Sequence, residues 1–371
     1  MSYAEKIEQE IANYRHVENV HDLPAIFHYW SNKHLLPKMK SLGLDGIEAT
    51  YVAYARRAAP PDGSELRILS VGAGNCDSEI AVAGMLAKTG FTRFRVDCLD
   101  VNPFMLKRGA EAAAAAGQGS RFRFIESDVN HWTIAERYHL VIANQSLHHF
   151  VDLEVLFDKI AQALDPEGFF VSSDMIGRNG HMRWPEALEQ IQRLWTLLDD
   201  RHRYNHQLKR LEPVYENWDC SKEGFEGIRA QDVLPLLMRR FQFDLFFGFG
   251  NLIDIFTDRG FGHNFDPNDP RDCAFIDYVT FLDDYLIERG LLSPTHMIAA
   301  MTSTARGRPR VYKHLTPEFC LRRERLDTPP EPRRIARPLI ESSVGWARRS
   351  GLLRYVPRAL KQSLKKMLEI D

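Results

Sequence analysis

No stretch of the chain approaches the roughly 18 consecutive apolar residues that a membrane-crossing helix needs, so no part of it is expected to span a bilayer. Cysteine is scarce: Cys76, Cys98, Cys220, Cys273 and Cys320 are odd in number and never form a CxxC pair, which argues against a disulfide framework or a structural zinc site. The opening MSYAEKIEQEIANYRH is charged from residue 5 and has none of the apolar core of a secretory signal, so the expected location is the reducing cytoplasm. An excess of one charge is lacking too. The net of −2 gives the chain as a whole no pull toward nucleic acid or a lipid surface. Also missing is the dinucleotide fingerprint GxGxxG, whose third glycine would fall at Asp77, and this disfavours a nicotinamide or flavin oxidoreductase.

What is present, over 371 residues with 44% hydrophobic composition, suits a globular protein with one large domain and additions. It is organised around ELRILSVGAGNC. Leu66, Ile68, Leu69 and Val71 predict a strand buried on both faces, broken by Gly72-Ala73-Gly74. Two glycines one residue apart let the backbone turn sharply against a ligand, and the helix that follows offers unpaired N–H groups. A second strand, Phe94–Leu99, ends at Asp100, followed by Val101 and Asn102; a carboxylate there can accept from both hydroxyls of a ribose. The third, Phe122–Glu126, leads to Asp128 and Val129, with Asp128 placed to accept from an adenine amino group or to cap the next helix. The fourth, Tyr138–Ala143, runs into Asn144, Gln145, Ser146, Leu147, His148 and His149, and the fifth, Phe169–Ser173, ends at Asp174. Helices over 77–88, from Met105 to Ala116 and over 153–164 alternate with these strands. That order demands an α/β fold with a doubly wound sheet and ligands at the carboxyl ends of its strands.

Residues 1–58 read as an N-terminal helical cap. Within IFHYWSNKH, Tyr29, Trp30 and His34 either form a lid that touches substrate or staple the cap to the main domain, which spans 59–305. Residues 177–240 read as a helical insertion, with an apolar stripe from Ala187 through Ile191 and Trp195 to Leu198. Sixth and seventh strands are expected at Phe241–Phe249 and His296–Ser303. Between them His263, Asp266, Asp269 and Asp272 fit no metal-ligand spacing, so no metal is expected, and His263 is read as a substrate contact. From Arg306 to residue 371 the composition turns basic, with 17 Lys and Arg against 7 Asp and Glu. Pro357 there opens an expected basic amphipathic helix. It packs on the acidic domain or a second copy in a homodimer, makes peripheral contact with a membrane, or meets an acidic partner; nucleic acid ranks last because few aromatics interleave the charges.

The succession VGAG, LDVNPFML, ESDV, HLVIANQSLHHF and LDPEGFFVSSD resembles the class I S-adenosylmethionine-dependent methyltransferase domain over about residues 64–176, with looser support to about 305. The resemblance implies a seven-stranded Rossmann-like sheet with its last strand antiparallel, and S-adenosyl-L-methionine as cofactor. Gly72, Ala73 and Gly74 would contact its methionine part, Asp100 its ribose and Asp128 its adenine side, with Val101, Asn102 and Val129 also among the cofactor-binding residues. Asn144 and Gln145 would lie beneath the sulfonium. The chain departs from the family twice, with Ser70 where an acid is usual and Cys76 where a third glycine is usual.

A hydroxyl acceptor must lose a proton, and His149 or His148 is placed to take it, with Asp174 as a second candidate. HYWSNKH and FGHNFDP resemble segments of bacterial methyltransferases of glycan and natural-product pathways. The expectation is therefore O-methylation of a hydroxyl on a sugar, glycan or small metabolite. The alternatives are N- or carboxyl-methylation of another small molecule or peptide, and a non-catalytic scaffold that acts through its basic tail.

Overall fold

The computed structural model describes residues 23–322 together with Glu5, Ile7, Glu8, Ile11, Ala12 and Arg15. The cap of the second N-terminal helix at Asp22 and the basic helix after Pro357 lie outside the described residues.

The chain opens with α1 (Ala25–Trp30), which runs through a π turn (Ser31–Leu35) into α2 (Leu36–Ser41). Pro37 has no N–H to return to the preceding turn, and this accounts for the widening. α3 (Ile47–Arg57) then leads to β1 (Leu66–Val71), α4 (Asp77–Lys88), β2 (Phe94–Asp100), α5 (Pro103–Ala115), β3 (Phe122–Glu126), β4 (Tyr138–Asn144), α6 (Leu153–Ala163) and β5 (Leu164–Met175). α7 (Pro185–Trp195), a short hairpin of β6 (Tyr204–Asn205) and β7 (Arg210–Leu211), and α8 (Ala230–Arg240) form the insertion. β8 (Gln242–Phe249), α9 (Leu252–Thr257), α10 (Pro270–Glu288), β9 (His296–Thr302), β10 (Arg310–Val311) and α11 (Pro317–Cys320) complete the described chain.

The main sheet has the order β10-β8-β9-β5-β4-β1-β2-β3. β3, β2, β1, β4 and β5 pair in parallel, while β9 is antiparallel to both β5 and β8. The expected seven strands are thus joined by a two-residue edge, β10, parallel to β8. Strand order reverses between β1 and β4, which opens a crevice at their carboxyl ends. α3, α4 and α5 cover one face of the sheet through residues such as Tyr54, Leu86 and Leu106. α6, α8 and α10 cover the other through Phe157, Leu237 and Val279.

Several boundaries differ from the expectation for identifiable reasons. β5 begins at Leu164, because the Asp165–Gly168 turn is a bulge between the pairs Tyr138↔Leu164 and Leu140↔Phe169. The apolar stripe 187–198 ends as a helix at Trp195. The 19-residue α10 buries one face through Ile276, Val279, Thr280, Asp283 and Ile287, but Thr280 and Asp283 interrupt it, so it reads as no apolar stripe in the sequence. Asp283 is inside because its carboxylate accepts from the N–H groups of Asn251 and Leu252 at the start of α9. Residues 306–322 of the basic extension pack on the domain: Arg306 stacks 4.8 Å over the Phe169 ring, and Arg322 donates to Glu186.

Candidate active site

A single cavity of about 1070 Å³ opens at the carboxyl ends of the strands and receives both halves of the candidate site. On its β1 side, the Gly72 and Ala73 N–H groups donate to Leu99 O at the end of β2, at 2.8 and 3.2 Å. Gly72 is left-handed (φ +69), and a Cβ on it would lie 2.7 Å from Ser146 Cβ, so glycine is required by both backbone and space. The Asp100 carboxylate accepts from Gly74 N–H and from Asn102 N–H, each at 2.8 Å. Burial pushes its pKa up. Turn and carboxylate, 26 residues apart for Gly74 and Asp100, are therefore one rigid unit facing the cavity.

The other expected cofactor residues also line this cavity, several with structural duties of their own. Asn102 caps α5, its Oδ1 accepting from Phe104 and Met105 N–H. Asp128 holds a turn through Asn130 N–H at 2.8 Å and meets His131 at 3.1 Å; no helix follows it. Asn144 accepts from the Tyr51 hydroxyl and donates to Ser78 Oγ. Gln145 takes a left-handed φ of +50, which turns the chain out of β4, and Val101 and Val129 contribute apolar wall.

Both departures from the glycine-loop pattern have local explanations. Ser70, 1% exposed, donates from its hydroxyl to Glu79 Oε1 at 2.6 Å, so the acid missing from β1 is supplied by α4. Cys76 adopts the left-handed φ of +61 that glycine usually takes, and its Sγ fits against the space left by Gly109. Burial raises the Glu79 carboxyl from an ordinary 4.5 to about 7, against the opposing hydrogen bond from Ser70. Between those two values the folded chain keeps a proton that the unfolded chain has released, so this group makes stability fall as pH rises. Glu79→Gln is expected to stabilise by about 3 kcal/mol at pH 8 and to change little at pH 4.5 or below. Thermal unfolding at the two pH values checks this, and an equal shift at both would show that Glu79 does not titrate as described.

The other half of the site is built on the turn after β4. Asp174, fully buried on β5, accepts from Ser146 N–H (2.9 Å), Leu147 N–H (2.7 Å) and His148 Nδ1 (2.7 Å). Burial opposes its charge, but the His148 charge and these donors hold its pKa below the usual carboxylate range. This corrects the expectation of Asp174 as a base: it does not line the cavity and acts by positioning His148. Burial would lower His148, yet Asp174 and Glu226 outweigh it and raise His148 to about 10, which favours its imidazolium form and makes it a poor proton acceptor in this arrangement. His149 lines the cavity with Nε2 3.5 Å from Glu226 Oε2.

Two residues of this cluster escaped the sequence reading. His181 Nε2 lies 2.5 Å from Glu226 Oε1, and His148 Nε2 lies 3.3 Å from the same oxygen. Burial favours the neutral Glu226 acid, but the charge of His149 and the bonds to His148 and His181 keep it well below the carboxylate range. The signal available in the sequence was an adjacent glycine, Gly180 before His181 in NGHM and Gly227 after Glu226 in GFEG. Beside them Arg183 is buried against Asp254 at 3.2 Å, and Asp254 also accepts from the Thr295 hydroxyl.

The expected substrate contacts divide. Trp30 lines the cavity, but Tyr29 and His34 point the other way, bonded to Asp277 on α10 at 3.0 and 2.7 Å. Of the two roles open to this segment they take the staple, holding the cap to the domain, which corrects the expectation of Tyr29 and His34 as substrate contacts. His263 is exposed against His206, away from the cavity. At the end of that loop Asp269 caps α10, and Asp272 in the first turn of α10 receives His202 and Arg201.

A family model described as "Methyltransferase domain" matches residues 68–168. No curated protein matches the chain. Among solved structures, similar chains include the StiE O-MT, residues 961–1257, at 10% identity and TM-score 0.41, covering 78% of this chain and 85% of that one. Another is the O-methyltransferase from a trans-AT PKS multienzyme of Brevibacillus brevis with S-adenosyl-L-homocysteine, at 13% identity and TM-score 0.37, covering 80% and 81%. A third is geranyl diphosphate C-methyltransferase from Streptomyces coelicolor A3(2) with Mg2+, geranyl diphosphate and S-adenosyl-L-homocysteine, at 12% identity and TM-score 0.43, covering 82% and 100%.

Proposed function

We propose that the chain is a class I S-adenosylmethionine-dependent methyltransferase, a reading supported by the methyltransferase-domain match over residues 68–168, and that it methylates a hydroxyl oxygen of a sugar, glycan or similar small metabolite. The observation that carries this reading is a single cavity lined both by the Gly72–Gly74 bend with Asp100 and by the cluster of His148, His149, His181 and Glu226. The cofactor supplies an electrophilic methyl group on a sulfonium. The chain has to hold the acceptor oxygen in line with that methyl, keep water out and accept the hydroxyl proton.

Gly72 and Gly74 give backbone access for the methionine part, and Asp100 offers its carboxylate to the ribose hydroxyls. His149 takes the proton from the acceptor, with Glu226 stabilising the imidazolium that forms. The new O–C bond forms as the S–C bond breaks, leaving a neutral thioether. Acceptor recognition is supported by Tyr215, Trp218, Phe249 and Phe261 beside Arg183 and Asn205 on the same walls, a mixture of rings and donors suited to a hydroxylated small molecule. The location inside the cell is part of the same proposal; among the described residues no helix is long and apolar enough to cross a membrane.

Incubation with methyl-labelled S-adenosylmethionine and panels of sugars, polyols and phenols tests it. The expected product carries label in an ether that survives mild alkali. Label confined to nitrogen, or to an ester that alkali cleaves, contradicts oxygen transfer to a hydroxyl.

A further inference from the structure

The geometry points to a divalent transition-metal site on the acceptor side of the cavity, with His148 Nε2, His181 Nε2 and the Glu226 carboxylate as ligands. It rests on the methyltransferase reading for its role and on the side-chain geometry for its existence. The three ligand atoms lie within 4.8 Å of one another. Metal–ligand bonds of about 2.0–2.2 Å put neighbouring ligand atoms roughly 3.0–3.5 Å apart. The separation between His148 Nε2 and Glu226 Oε1 is 3.3 Å, and that between His181 Nε2 and the same oxygen is 2.5 Å, so a small opening of one pair admits an ion. Two imidazoles and one carboxylate are borderline ligands that suit zinc, manganese, iron(II) or cobalt and leave further positions open.

Independent features of the fold hold this constellation in place. His148 presents Nε2 because Nδ1 is tied to Asp174 at 2.7 Å, the carboxylate–histidine arrangement that fixes tautomer and ring direction for metal ligation. Asp174 is itself anchored by the Ser146 and Leu147 N–H groups. In the ion-bound state His148 keeps its Nδ1 proton on Asp174 and gives up the one on Nε2. The loops that carry His181 and Glu226 are zipped together by Gly180 N–H donating to Gly227 O at 2.9 Å. Both glycines are left-handed; a Cβ on Gly180 would meet Asp219 Oδ1 at 1.9 Å, and one on Gly227 would meet His181 Nε2 at 3.1 Å. His181 also holds a left-handed φ of +53, a strained choice for a residue with a Cβ and one that recurs at functional sites.

The ion deepens the chemistry of the same site. An acceptor hydroxyl that coordinates the open positions has its acidity increased, its proton passes to His149, and the resulting oxygen attacks the methyl carbon as the S–C bond breaks. Such a site favours acceptors that chelate, with a second oxygen next to the one methylated: vicinal diols, catechols or α-hydroxy acids.

The test is titration of the untagged full-length protein, freed of metal with a chelator, with Zn2+, Mn2+ and Co2+, read by calorimetry and by the visible spectrum of the cobalt form. One ion per chain is expected, with a cobalt spectrum that shows nitrogen ligation. Glu226→Gln and His181→Ala should lose that spectrum, while Asp174→Asn should weaken the ion by about 10- to 100-fold. Circular dichroism and S-adenosylhomocysteine binding establish that each variant is folded. Absence of binding by the wild-type protein, or binding untouched by Glu226→Gln, overturns the metal site. Full methyl transfer by ion-free protein overturns its role but leaves the methyltransferase reading intact, whereas failure to bind S-adenosylhomocysteine overturns that reading whatever the metal does.

Discussion

Asp100→Ala is expected to weaken S-adenosylhomocysteine by about 10²- to 10⁴-fold while the protein stays folded. A hydrogen bond to a charged group contributes about 1.5–3 kcal/mol, and this carboxylate faces two ribose hydroxyls in the proposed complex. The cost to the fold is smaller. The side chain ties down a few neighbouring N–H groups, those of Gly74 and Asn102 at 2.8 Å among them, and its burial already works against the charged form. Asp100→Asn, which keeps one acceptor, should fall between the two. Calorimetry with a parallel thermal melt checks both statements, and undiminished affinity in Asp100→Ala would remove the ribose assignment.

His149→Ala is expected to lower kcat by about 10²- to 10⁴-fold, the range of a positioned proton acceptor, with cofactor affinity within a few-fold of wild type. The distinction matters because His149 shares the Glu226 carboxylate with His148 and His181, and the three rings differ in surroundings. His148 is sealed between two carboxylates. His149 keeps an accessible edge toward the cavity. Single-turnover methyl transfer on an acceptor found as above separates the chemical step from binding, and a His149→Ala enzyme of unchanged single-turnover rate would move the proton elsewhere.

The cofactor half of the site was legible because its information is local. An apolar strand, a glycine bend and a carboxylate at the next strand end follow one another in the chain, and right-handed crossover connections leave few ways to arrange them. The acceptor half was not, because His181 and Glu226 lie 45 residues apart in an insertion, are brought together by the Gly180–Gly227 contact, and meet His148 only through the tertiary fold. The N-terminal cap failed in a different way. Ile26 and Trp30, four residues apart, form the buried face of α1, while Tyr29 and Lys33 form the face that meets Asp277. Both faces carry rings, so aromatic content alone could not say which one turns inward. Ser70 and Cys76 looked like defects in a motif. The Ser70–Glu79 hydrogen bond and the space at Gly109 show each to be compensated by a neighbour that no linear pattern includes.

A crystal structure with S-adenosylhomocysteine tests the central claim most directly. The account predicts ribose hydroxyls about 2.5–3.0 Å from the Asp100 carboxylate, the amino-acid end over Gly72 and Gly74, and the sulfur on the side of His149. A ligand bound elsewhere, or a cleft left empty at saturating concentration, would contradict it.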